Sequence, residues 1–149
     1  MHNNVSTIIQ KFEDSLVSDG YKRSSFTGSL FLEAENYLDR CFCIQALSSS
    51  VESFDQRGNW QPTVTWSGEY RTTLQVEVLY KLKTDTHNID YKAKTGSEEE
   101  LFIRSILASD RTGFKFFIKN ITRSLTPDRT FISIKYNIEV IHRFNFGAL

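Results

Sequence analysis

Residues 71–83, RTTLQVEVLYKLK, decide the fold. Successive side chains of a strand point to opposite faces, so Leu74, Val76, Val78, Tyr80 and Leu82 share one side. Gln75, Glu77, Leu79 and Lys81 take the other. One apolar and one mostly polar face describe a strand of an antiparallel sheet covered on one side. The same parity continues backward through Thr72, Tyr70, Trp66 and Val64. A single strand, or one broken at Gly68, therefore reaches back from Leu82 well into residues 48–70. That stretch is long for an ordinary connection. Residues 57–59, RGN, then read as the tip of a projecting β-hairpin arm. Pro62 lacks an N–H and suits an edge or arm. Trp60 and Trp66 on an arm would be costly exposed surface in a monomer and good anchors in an assembly. The competing reading folds both tryptophans back onto the domain's own core.

Working outward, the periodicity first changes to that of helices. Val5, Ile8, Ile9, Phe12 and Leu16 form one apolar stripe, which predicts a helix over 5–18 with Asn4 as N-cap and Gly20 just past its end. Residues 30–32 read as a short strand, or 29–38 as a helix. Residues 41–47 read as a strand by β-propensity. A polar loop is expected at 84–96. A second helix is expected from Ser97, which with Glu100 spells a capping box and carries Glu98, Glu99 and Glu100 in its first turn. Strands at 114–125 and 130–144 flank the turn Thr126-Pro127-Asp128-Arg129. In the last strand Ile132, Ile134, Tyr136, Ile138 and Val140 share a face. The sum is a single α+β domain over 1–149. Its antiparallel (mixed) sheet has about four or five strands, with two main helices packed on one face and a long β-hairpin arm or loop at 48–70.

The chain has 149 residues and equal numbers of basic and acidic side chains, 18 each, so it carries no net charge. That argues against a general nucleic-acid or membrane-surface binder. The charge is nonetheless uneven. Residues 101–149 hold eight Lys/Arg and three Asp/Glu, a balance of +5, which leaves −5 for residues 1–100. Opposed regions attract copies of the chain head to tail, or two unlike partners; chance clustering on solvated faces gives the same balance. The first ten residues, MHNNVSTIIQ, lack the basic and apolar regions of a signal peptide, and no stretch approaches the length of a membrane span. Cys41 and Cys43, two apart in an apolar run, read as buried reduced thiols on one strand face, as expected of a protein made in a cytoplasm.

Enzyme signatures are missing. The phosphate-binding, dinucleotide-binding and nucleophile-elbow glycine patterns do not occur. His2, His87 and His142 are far apart in sequence, and no catalytic, cofactor or metal site is expected. A pocket near His142 and Glu139 is the place where a ligand-binding or enzymatic reading would look. Lys115, Lys119 and Arg123 share a parity with Phe117 and Ile121, and predict a basic face at a subunit interface or toward passing DNA. Phe114 and Phe116 lie on the opposite parity and are expected in the core.

The order of elements resembles the tail terminator, or tail completion, proteins of long-tailed bacteriophages. The likeness rests on several elements. They are the N-terminal helix, the segment LFLEAENYLDRCFCIQAL at 30–47, the polar excursion, the strand YRTTLQVEVLYKL, the acid-started helix SEEELFIRSILA and the closing strands. The resemblance implies a non-enzymatic virion protein, made in the host cytoplasm. It would form a homo-oligomeric ring, a hexamer, that caps the tail tube, ends tail growth and joins tail to head. Implied partners are the tail tube protein and a head–tail connector protein, with DNA only in passage through the lumen. Arg57, Trp60, Trp66, Tyr70 and Arg71 are the expected partner contacts. Another head–tail connector or neck protein would give a similar pattern.

Overall fold

A computed structural model of the chain describes residues 3–25, 27, 28, 30, 39–57 and 65–148, with the backbone alone at 53–57, 65, 66 and 146–148. The elements run α1 (Val5–Ser18), β1 (Lys22–Arg23), β2 (Cys41–Arg57), β3 (Thr65–Lys81), α2 (His87–Lys94), α3 (Ser97–Leu107), β4 (Phe114–Leu125) and β5 (Phe131–Ala148). The fold is α+β. Five strands form one mixed sheet in the order β1-β2-β3-β5-β4, parallel between β1 and β2 and antiparallel elsewhere.

α1 follows from its caps and its stripe. The Asn4 side chain accepts from the Thr7 amide at 2.8 Å, which satisfies one of the donors a helix start leaves open. At the far end Gly20 takes φ +93°, the left-handed region that costs glycine nothing. Its amide then reaches the Val17 carbonyl and the Tyr21 amide reaches that of Leu16, the two bonds of a Schellman motif. Ile8, Phe12 and Leu16 point to the sheet and are buried. Phe12 meets Phe114 and Phe116 edge-on, at 5.8 and 5.3 Å between ring centres. Reciprocal bonds between Ser15 and Ser105 hydroxyls and backbone carbonyls tie α1 to α3.

The sheet contributes the other half of the core. Leu74, Val76, Val78 and Tyr80 of β3 face Ile132, Ile134, Tyr136, Ile138 and Val140 of β5 beneath the helices, all fully buried. From α3, Phe102 stacks on Tyr136 with centres 3.8 Å apart. The expected face of 71–83 is the observed one. The opposite face, expected to be outward, is not wholly exposed: Glu77 and Leu79 are also buried. A second cluster covers them, made of Leu30, Cys41, Cys43, Leu79 and Phe131. Glu77 accepts a hydrogen bond from the Leu30 amide and one from the Ser133 hydroxyl, the latter at 2.5 Å. Cys41 and Cys43 share this face and are free and buried; burial pushes the Cys43 thiol up to about 11.

Three expectations change. Residues 84–96 are not a plain loop but contain α2, whose residues HNIDYKAK have little apolar periodicity to announce a helix. The Ser97–Glu100 capping box does not form. Gly96 stands at the N-cap, and the Ser97 hydroxyl donates backward to the Ala93 carbonyl at 3.3 Å, because α2 ends immediately before and supplies that acceptor. The 41–47 strand continues to Arg57, with register shifts at 46/48 and 51/53. The alternatives for 30–32 and 29–38 lie outside the described residues, apart from buried Leu30.

Candidate assembly surface

Three strands of the sheet run well past its edge strand, and this follows from the strand lengths. β2 and β3 each run 17 residues and β5 runs 18, whereas β4 runs 12. β4 begins at Phe114, opposite His142. Past that level β3 pairs on to Thr65 opposite Ala148, and β2 to Arg57 opposite Thr65. A three-stranded arm therefore continues for six residues of β5 beyond the edge strand, about 20 Å at the rise of a β-strand. The hairpin arm expected from the parity of Trp66 and Tyr70 has its backbone counterpart here. β5 joins it, which the sequence had not suggested.

The expected contact residues distribute along this arm. Arg57 is the last residue of β2, and Trp66 lies opposite Gln56 on β2 and Gly147 on β5. Trp60 lies outside the described residues, as do Gly58 and Pro62. Tyr70 sits at the arm's base. Its half-buried ring lies 5.3 Å from that of His142 and 4.8 Å from that of Phe144, on the helix side. Arg71 faces the other side, where its guanidinium binds Glu139 and approaches Glu52 at 3.6 Å.

His142 anchors the base. Its Nδ1 is 2.9 Å from the Asn3 carbonyl oxygen, so Nδ1 carries the proton and donates. Nε2 then accepts from the Thr72 hydroxyl at 2.8 Å, and Thr72 accepts from Ser49 at 2.8 Å. Burial holds the imidazole below its usual pKa, opposed by the Asn3 bond. The ring is therefore a neutral bridge between β2, β3, β5 and the lead-in to α1. Glu139 lies on the opposite face of β5, bound to Arg71 and 3.5 Å from Lys119. His142 and Glu139 thus cannot line one pocket, because three positions apart on a strand means opposite faces.

The basic face is also divided. A register shift between Ile118 and Asn120 places Lys119 in a bulge, and parity inverts after it. Lys115, opposite Ile141, is exposed on the helix-free side, and Lys119 reaches Glu139 there. Arg123, opposite Ile134, instead faces the helices. It grips Glu99 of α3 through Nε at 2.7 Å and Nη2 at 2.6 Å. The first-turn acids of α3 are thus ion-pair partners as well as dipole complements, since Glu98 likewise binds Arg40 at 2.7 Å. Sequence reasoning missed both pairs. Their signal, cations far along the chain and a run of three acids, does not say which meets which.

Among the described residues no cluster of three or more His, Cys, Asp or Glu is placed to hold a metal ion. No described helix is long and apolar enough to cross a membrane.

No protein-family model and no curated protein sequence matches the chain. A similar solved structure is the type 4 fimbrial biogenesis protein PilO from Pseudomonas aeruginosa. It is 7% identical, over 95% of this chain and 72% of that one, with a TM-score of 0.49, a likeness too slight to bear on function.

Proposed function

We propose that this protein is a structural component of a phage tail, a terminator that caps the tail tube as a homo-oligomeric ring and joins tail to head. The observation that carries the reading is the arm. Three strands extend past the edge strand β4, and the sequence between β2 and β3 holds Trp60, with Trp66 second in β3. Large aromatic side chains on an arm that leaves the body of the sheet gain their burial from a partner. The arm is the clasp, to a neighbouring subunit or to the tube protein. The opposed charge of residues 1–100 and 101–149 suits unlike surfaces meeting around a closed ring.

The helix-free face suits the lining of a channel for DNA. Arg71, Lys119 and Arg143 each lie beside a carboxylate, Glu139 for the first two and Glu69 for the third. Cations already paired release fewer counterions on meeting phosphate, so such a wall lets DNA pass without holding it. In this role the protein needs no catalytic group and no cofactor.

Trp60→Ala and Trp66→Ala test the clasp. Both variants should keep the wild-type circular dichroism and denaturation midpoint yet sediment as smaller species at concentrations where the wild type assembles. Loss of folding in both would place the two rings in the monomer's core and remove the arm from the interface.

A further inference from the structure

The two edges of the sheet differ in a way that pairs them with each other. β4 is one edge: no described strand pairs with its outer side. At the other, β1 covers only Cys41 and Phe42 of β2, and no described strand pairs with the outer side of β2 from Cys43 to Arg57. Such edges present backbone donors and acceptors to any strand that fits.

We infer that β4 of one copy pairs with β2 of the next, so that the five-stranded sheets join into one continuous sheet around the assembly; this rests on the ring reading above. Direction agrees. β2 and β5 run toward the arm tip and β3 and β4 away from it, because each neighbouring pair is antiparallel. Copies related by rotation about an axis along the strands therefore bring β4 beside an antiparallel β2.

Level agrees as well. Across the sheet Lys115 stands level with Ile141, Arg71 and Ser50, and Phe117 with Glu139, Thr73 and Ser48. With no stagger between copies, Lys115 comes beside Ser50 and near Glu52. Phe117 comes beside Ser48 and Leu47. Phe117 and Leu47 are 49% and 48% exposed, and Val51 and Leu125 on the same two strands are also exposed. Charge agrees too: with Arg123 held by Glu99, β4 still presents Lys115 and Lys119 and carries no acid, while β2 carries Glu52 and Asp55 against Arg57. The lysines and the bulge at Lys119 deter pairing with an arbitrary edge and leave an acid-bearing edge as the suitable one.

Amide hydrogen exchange on the full chain, compared between dilute monomer and concentrated assembly, reads the contact directly. Expected is a slowing of at least about tenfold on alternate amides of 114–119 and 46–52 together, whatever further protection the arm gains. Charge exchange gives a second reading. Lys115→Glu and Glu52→Lys should each weaken association about tenfold, and the chain carrying both should regain most of it. An assembly that leaves 114–119 and 46–52 without new protection, or a double variant no tighter than either single one, overturns the edge pairing and leaves the ring standing. A protein that stays monomeric at every concentration overturns both.

Discussion

Arg123 on β4 and Glu99 on α3 form a two-pronged ion pair, with both bonds between 2.6 and 2.7 Å. The Glu99 side chain is only 6% exposed, while that of Arg123 is 41% exposed. The pair pins the helix to the far end of the edge strand and takes Arg123 out of any binding surface.

Arg123→Ala would leave Glu99 buried without its cation. The cost lies between that of an exposed and a fully buried pair, about 2 kcal/mol, since Arg123 remains in reach of water. Denaturant titration should show it, and Arg123→Met combined with Glu99→Leu should recover most of it. Association should be unchanged in both, because Arg123 faces inward.

His142 makes the arm's base sensitive to acid. Its folded-state pKa lies below the usual 6.5 because burial disfavours the cation. The unfolded chain therefore takes up the proton first as pH falls. The stability from the neutral ring is full above the unfolded pKa and is lost as pH drops through the folded one. Thermal melting should weaken from pH 7.5 to 5.5, above the carboxylate range. His142→Asn should start lower and flatten that dependence. An unchanged slope in the variant would mean another group is responsible.

Glu77 is 2% exposed on the face away from the helices, between the Leu30 amide and the Ser133 hydroxyl. Glu77→Ala strands both donors and should cost about 1–3 kcal/mol per unsatisfied group. Exchange at the Leu30 amide should rise while that of the helix-covered core stays slow.

Gly20 ends α1 at φ +93°. An added Cβ would meet Arg40 Nη1 at 3.5 Å, an ordinary contact, so the penalty of Gly20→Ala is conformational and about 1 kcal/mol. A midpoint shift in denaturant without a change of slope is the expected form.

Periodicity made much of this fold legible. The stripe of α1, its two ends, and the parity of Leu74 to Leu82 and of Ile132 to Val140 are local patterns, and each places the same residues in the core. What stayed hidden was non-local. α2 has little apolar periodicity and buries none of its residues, and β1 is two residues long. One inserted residue at Lys119 reversed the face of Arg123, which no alternation count can foresee without the partner strand. Of the expected contact residues, the sequence placed Arg57 and Trp66 on an arm the backbone does form. Tyr70 resembled them in parity, but its aromatic neighbours His142 and Phe144 come from the far end of the chain.

The most direct test of the ring is the solution mass of the purified chain by light scattering over a wide range of concentration. A hexamer, or a monomer of 17.3 kDa that passes to closed rings of six as concentration rises, is the expected result. A mass that stays at one chain throughout would contradict self-assembly through the arm and the sheet edges.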